Sequence, residues 1–204
     1  MSYAHMFYAV DPKRLRSLYG ANDESFTQSV LADPPDGFES ASCCDLSSED
    51  ALRRIVAGTA ERDGEEHAAT YGYVLKALCE HLTDGELLEG EVACVRDLPY
   101  DLRLPRSGAP IPIPVDEADF PEIGFLEADQ VEAELAALDA PAGKPKKPPL
   151  KIRLLGWLIQ KRLGVQLPSL RTPSAEELEE EVEEYRLALR GAADRGTGLV
   201  SFRH

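Results

Sequence analysis

The stretch LPYDLRLPRSGAPIPIPVDEADFPEIGFL, residues 98–126, decides whether the chain folds as one body or as two tethered pieces. Its six prolines alternate with apolar side chains, whereas a flexible tether is rich in glycine, serine and like charges. Proline holds the backbone near extended dihedrals and removes N–H donors. We therefore predict an ordered loop over 98–122 that lies across the protein body, followed by a strand at 123–126.

Two interpretations of this loop remain open. In the first, its apolar residues only cover a hydrophobic core. In the second, the loop is a rigid recognition rim, because long ordered loops in compact domains are often functional. A preordered rim would present Asp97, Asp101, Arg103 and Arg106 at a low entropic cost of binding.

The residues before the loop predict one strand and several helices. Asp11 and Pro12 are typical of a helix start, and Gly20 follows its end. Residues 65–82 place apolar side chains at three- and four-residue steps, the pattern of an amphipathic helix. The predicted elements are a strand at 6–10, helices at 11–20, 22–32, 47–58 and 65–82, and a strand at 91–98.

The residues after the loop predict three more helices and a last strand. The predicted helices cover 127–138, 150–164 and 172–196, and the strand covers 198–204. In the last helix Thr172 is the expected cap and Pro173 the first residue. We predict a single α+β domain over 1–204, with a small mixed or antiparallel sheet and several packed helices.

Composition narrows the classes of function. The chain has 37 acidic and 22 basic residues among 204, a net charge of −15, and a pI near 4.7. Such a charge disfavours nucleic acid and anionic membranes as partners. No apolar run approaches the roughly 18–20 residues of a membrane span, and the start shows no secretory signal. The four cysteines lack a disulfide framework, so we expect a cytoplasmic protein with reduced thiols.

The charge is unevenly distributed along the chain. Residues 140–175 contain eight bases and no acid, so the other residues carry −23 (−15 less 8). This basic segment, 140–171, includes a predicted helix with the only tryptophan, Trp157. Three interpretations remain: the helix packs on the acidic body, it binds a partner, or it contacts a membrane surface or nucleic acid.

The candidate chemistry is sparse. Cys79 and His81 point in opposite directions on a regular helix, so they cannot chelate one ion. No nucleotide-binding, zinc-protease or nucleophile-elbow motif occurs. We therefore predict no metal, no cofactor and no catalytic residue. His67, Tyr71 and His81 on the 65–82 helix remain candidate binding residues, with Tyr71 expected in the core.

The order of the elements carries a resemblance to a known group. Four segments follow one another along the chain: the opening strand with DPKRLRSL, the helix SSEDALRRIVAG, the segment IGFLEADQVEAELAAL, and the final helix running into GLVSFRH. This order resembles the YfbM-like group of small bacterial proteins of unknown function. The MSY…FYAVD…LRSLYG opening and GLVSF ending are similar to an uncharacterised bacterial domain family. The resemblance implies a YfbM-like architecture and assigns no catalytic residues.

Two functional hypotheses follow. The first is an acidic intracellular protein-binding module, such as an immunity or inhibitor protein against a basic toxin, because acidic surfaces speed capture of basic partners. The second is a small-molecule-binding protein or enzyme, with a cleft near helix 66–82 and loop 97–106. A pocket that joins His67 or His81 to Asp101 or Arg103 would favour the second hypothesis.

Overall fold

The structure is a computed structural model that describes residues 5–35, 37–39, 45–90, 92, 95–115, 121–140 and 174–203. The predicted basic segment with Trp157 lies outside the described residues. The described strands are β1 (His5–Tyr8), β2 (Glu122–Leu126) and β3 (Leu199–Arg203). The described helices are α1 (Pro12–Leu18), α2 (Glu24–Ala32), α3 (Ser48–Ala57), α4 (Ala68–Leu82), α5 (Ala128–Asp139) and α6 (Ala175–Asp194).

The three strands form one antiparallel sheet in the order β1-β3-β2. The last strand is therefore central, with Phe7 opposite Ser201 on one side and Phe125 opposite Val200 on the other. A small antiparallel sheet with several packed helices confirms the predicted α+β class. Leucine, valine and phenylalanine dominate β3, as expected for a strand buried on both faces.

Two hydrophobic clusters lie on opposite faces of the sheet, because successive strand residues point to opposite sides. Tyr8 and Phe202 belong to the cluster formed with α1 to α4. Phe7 and Leu199 belong to the cluster formed with α5 and α6, where the Phe7 ring packs 5.7 Å from the Tyr185 ring. Helices thus cover both faces of the sheet.

The proline-rich loop contributes to both clusters. Leu98, Leu102 and Leu104 are buried in the cluster with α5 and α6. Ile111 and Ile113 are buried in the cluster with α1 to α4. The loop therefore passes from one face of the sheet to the other, beside the edge strand β2.

Side-chain contacts hold the loop in place where it passes the edge of β2. The Phe125 N–H donates to the Ser107 hydroxyl oxygen at 2.7 Å. From α1, Arg16 Nε donates to the Pro110 carbonyl oxygen at 3.0 Å, and its guanidinium lies 5.2 Å from the centre of the Phe125 ring. The loop thereby covers the outer edge of β2, so that this edge cannot pair with a strand of another chain.

The opposite edge of the sheet, along β1, contacts the segment that we predicted as a strand at 91–98, and that prediction is wrong for 95–98. Val92 makes a single bridge to His5, with the His5 N–H 2.9 Å from the Val92 carbonyl oxygen. Val95–Asp97 then forms a 3-10 turn instead of continuing the strand. Val92 and Val95 are both buried.

Local signals account for most helix boundaries. The Asp11 carboxylate accepts from the Lys13 N–H at 2.9 Å, which confirms the predicted cap of α1. Gly58 ends α3 with a φ of +69°, and a Cβ there would lie 2.8 Å from the Gly20 Cα. Gly72 in α4 leaves room for Pro121, since a Cβ would lie 2.6 Å from the ring.

The start of α6 differs from the prediction. The helix begins at Ala175, and its cap is Ser174 rather than Thr172. The Ser174 hydroxyl oxygen accepts from the Glu177 N–H at 3.1 Å, and the Glu177 carboxylate accepts from the Ser174 N–H at 2.8 Å. This reciprocal capping box satisfies two N–H groups, which a cap at Thr172 could not do with the same partners.

Candidate functional site

Tyr71 lies in the core, as predicted, and its hydroxyl donates to the Asp63 carboxylate. Arg54 donates to the same oxygen at 2.5 Å. Burial raises the pKa of Asp63, but the hydrogen bonds from Tyr71 and Arg54 outweigh burial and lower the pKa overall. Burial and then the bond to Asp63 raise the pKa of Tyr71. This cluster ties α3 to α4 and leaves the Tyr71 hydroxyl engaged within the protein.

His67 lies just before α4, at the end of the 3-10 turn Glu65–His67. Its side chain is 15% exposed, with Nε2 3.8 Å from an Asp45 carboxylate oxygen. Its Nδ1 is buried without a hydrogen-bond partner among the described residues.

His81 lines a cleft between the C-terminal ends of α2 and α4, with a volume of about 540 Å³. The imidazole ring packs edge-on against Phe26, 5.8 Å between ring centres, and its Nε2 lies 3.4 Å from the Ser29 hydroxyl oxygen. We call this recess the acidic cleft. Its lining residues are Asp33, Pro34, Pro35, Glu80, His81, Asp84 and Gly85.

The acidic cleft has a negative electrostatic environment for two reasons. The last carbonyl groups of a helix carry a partial negative charge, and two helices end here. The carboxylates of Asp33 and Asp84 add to that charge, whereas Glu80 is paired with Lys76, and none of the lining residues is lysine or arginine. Asp33 and Asp84 form no ion pair with the residues that the structure describes.

Glu80 is the carboxylate held most firmly in the acidic cleft. It accepts from the Tyr8 hydroxyl at 2.6 Å and from Lys76 Nζ at 2.5 Å. Burial, followed by the bond to Glu80, raises the pKa of Tyr8, so its hydroxyl stays protonated and donating. Cys79 beside it is fully buried, and burial raises the pKa of its thiol, which makes the thiol a poor nucleophile.

The loop residues predicted for binding lie in other parts of the surface. Asp97 ends the 3-10 turn Val95–Asp97. Asp101 and Arg106 form an exposed ion pair at 2.5 Å. The Arg103 side chain is exposed as well. Arg106 lines a second recess, which does not include His67 or His81. Of the candidate binding residues that the structure describes, His81 lines the acidic cleft and Arg106 lines the second recess, whereas the others line neither.

The second recess lies between the proline-rich loop and β2, and we call it the loop pocket. Its volume is about 210 Å³. Its polar lining residues are Arg96, Arg106 and Glu122, and its apolar lining includes Pro105, Val115 and Ile123. Glu122 accepts from Arg203 at 3.0 Å and also pairs with Arg96.

Glu134 is a buried carboxylate that the sequence analysis missed. It is 1% exposed and accepts from the Arg103 and Leu104 N–H groups at 2.9–3.1 Å. The Tyr185 hydroxyl also donates to it at 3.0 Å. Its position three residues after Val131 and four before Leu138 places it on the inward stripe of α5, which was the available signal.

In the described ranges, no group of three or more histidine, cysteine, aspartate or glutamate side chains is placed so that it could hold a metal ion. Each helix in those ranges is also too short or too polar to cross a lipid bilayer.

The fold and the two recesses define an α+β protein with a helix-covered antiparallel sheet, an acidic cleft and a smaller loop pocket. The whole chain, residues 1–204, matches the model of one family, the domain of unknown function DUF7691. The chain therefore belongs to this family. No curated protein and no solved structure matches the chain significantly.

His5 provides a test of how the β1 edge is buried. It is 5% exposed, and its Nδ1 lies 3.4 Å from the Val95 nitrogen, whose N–H donates to it. Burial lowers the pKa of His5 from 6.5 to about 4, although Glu122 opposes this effect. Between these pH values the unfolded chain binds a proton that the folded chain does not bind. His5 therefore makes the free energy of unfolding fall with decreasing pH, by up to about 1.4 kcal/mol per pH unit.

We expect the difference between wild type and His5→Asn to show this dependence in urea unfolding from pH 7 to pH 4. Asparagine keeps an acceptor near the position of Nδ1 but does not titrate. The wild type should lose more stability than the variant over this range. Parallel pH profiles for the two proteins would contradict the buried neutral histidine.

Proposed function

We propose that this protein is a binding module whose acidic cleft receives a basic side chain of a partner protein. The observation that carries the proposal is the convergence of two helix C-termini with Asp33, Glu80 and Asp84 around one recess. A lysine or arginine side chain placed there would meet carboxylates and helix-terminal carbonyl groups together.

The surroundings of the acidic cleft support the same partner chemistry. Residues 23–90 contain 16 acids and four bases, a net charge of −12. Three of those bases already have internal partners: Arg53 pairs with Glu24 and Glu49, Arg54 with Asp63, and Lys76 with Glu80. The negative surplus on this part of the protein would steer a basic partner toward the acidic cleft.

The proposed setting is that of a single cytoplasmic domain of bacterial origin with a YfbM-like architecture. The burial of loop residues in both hydrophobic clusters supports a single domain. The order of opening strand, helices and closing helix–strand supports the YfbM-like relationship. In this setting the protein would act as an immunity or inhibitor protein, and its acidic cleft would bind a basic toxin. A basic protein would be its partner, and neither nucleic acid nor membrane is proposed.

Titration with a hexa-arginine peptide, followed by NMR, tests this function. We expect saturable shifts of the His81 ring protons and the Gly85 amide, which belong to the acidic cleft. The double variant Asp33→Asn/Asp84→Asn should bind about tenfold more weakly, because it removes two charge-assisted contacts. The control Glu132→Gln/Asp194→Asn removes the same charge from α5 and α6, and we expect an affinity within about twofold of wild type.

Two results would contradict the proposal. Equal weakening in both double variants would mean that net charge, rather than the acidic cleft, attracts the peptide. The second concerns the chain's own basic segment. If replacing Lys144, Lys146 and Lys147 by glutamine shifted the His81 and Gly85 signals without peptide, that segment and not a partner would occupy the acidic cleft.

A further inference from the structure

The loop pocket differs from the acidic cleft in charge. Two arginines and one glutamate line it, on a protein with a net charge of −15. Glu122 pairs with Arg96, which also lines the pocket, and with Arg203 of β3. Among the described residues, the two arginines and one glutamate give the lining of the loop pocket a net charge of +1, which favours attraction of a small anion.

Arg106 is the cation in this pocket that can change partners. Its ion-pair partner is Asp101, which is 87% exposed, and Arg106 itself is 63% exposed. An exposed pair of this kind contributes about 0–1 kcal/mol, so a ligand can displace it at small cost. The planar guanidinium matches a carboxylate, since two parallel N–H groups can donate to its two oxygens.

The walls of the loop pocket are apolar and rigid. Pro105 and Ile123 line it, together with Val115, which is 45% exposed although it is a large apolar residue. Proline fixes its own φ and restricts the residue before it, so this part of the backbone loses little freedom when a ligand binds. The volume of about 210 Å³ corresponds to about seven water-sized groups at roughly 30 Å³ each.

We propose that the loop pocket binds a small ligand with one carboxylate and a short, branched apolar body. The carboxylate accepts from the Arg106 guanidinium, and the apolar body packs against Pro105, Val115 and Ile123. Two sources supply this chemistry: a free branched short-chain carboxylic acid, or the C-terminal residue of a peptide. This site is separate from the acidic cleft and selects a ligand of opposite charge.

The test is an NMR titration of the full chain at constant ionic strength with isovalerate, and in parallel with an acetylated tripeptide that ends in valine. We expect saturable shifts of the Val115 and Ile123 methyl groups and of the Gly108 amide with at least one probe. The probe that binds more tightly identifies the source. Isovaleramide and the amidated tripeptide, which lack the carboxylate, should bind at least about tenfold more weakly.

Matched variants separate this site from general attraction of anions. Arg106→Gln should weaken binding of the better probe about tenfold, whereas Arg190→Gln on α6 should leave it within about twofold. Asp101→Asn should bind at least as tightly as wild type, because it removes the competing carboxylate. Unchanged thermal unfolding of these surface variants would show that they fold. Equal binding of acid and amide, equal effects of the two arginine substitutions, or no saturable shift with either probe would overturn the proposal.

Discussion

Replacing Glu134 by alanine is expected to lower the free energy of unfolding by about 3–5 kcal/mol. The substitution removes the carboxylate that accepts from two loop N–H groups, at Arg103 and Leu104, and from the Tyr185 hydroxyl. Each buried donor without a partner costs roughly 1–3 kcal/mol. Water cannot easily replace the carboxylate, since Glu134 is 1% exposed and Tyr185 is fully buried.

Urea unfolding of three further variants separates this network from simple loss of volume. Glu134→Gln keeps one acceptor oxygen and a similar size, so we expect a smaller loss than with alanine. Tyr185→Phe removes one hydrogen bond and should cost about 1 kcal/mol. Glu132→Ala, on the exposed side of α5, should stay within about 0.5 kcal/mol of wild type. A Glu134→Ala protein no less stable than Tyr185→Phe would show that the carboxylate does not hold the loop.

Replacing Leu104 by alanine is expected to cost about 2–5 kcal/mol, the range for a leucine removed from a packed core. Leu104 is 1% exposed and belongs to the cluster with α5 and α6. It also lies at the start of the 3-10 turn Leu104–Arg106, and its carbonyl oxygen would lie 2.5 Å from a Cβ at Gly124 of β2. The cavity would therefore open where the loop meets both the sheet and a helix.

Val115 provides the matched control on the same loop, since it is 45% exposed. Val115→Ala should change the free energy of unfolding by no more than about 0.5 kcal/mol. Both variants should unfold in one transition that includes the helices on either side of the loop. If Leu104→Ala left the unfolding midpoint unchanged, the loop would be a tether, and the proposed single domain would be wrong.

Local patterns predicted most of the regular elements. The Asp11 cap, Pro12 at the start of α1 and the apolar stripe of α4 act through contacts within a few residues, so they can be recognised without the tertiary structure. The errors arose where two local patterns competed. Residues 91–98 alternate like a strand, but Val95 is buried as the first residue of the 3-10 turn Val95–Asp97.

The candidate sites were less predictable than the elements. His81 and Arg106 were both singled out by residue type, yet they line two different recesses. Their separation depends on how α2, α4 and the loop are arranged in space. Asp33 and Arg96 were missed because nothing in their neighbouring residues distinguishes them from other exposed charges.

The amino-acid order by itself determined most of the described helices and strands, the net negative charge and the alternation of proline with apolar residues in the loop, because these depend on neighbouring residues and on composition. Only the tertiary structure decided that β3 is the central strand and that the loop serves both faces of the sheet. It also decided that Glu134 accepts from loop N–H groups some 30 residues away. Such long-range pairings depend on which surfaces exclude water together, and several distant segments of similar hydrophobicity could satisfy that requirement equally well.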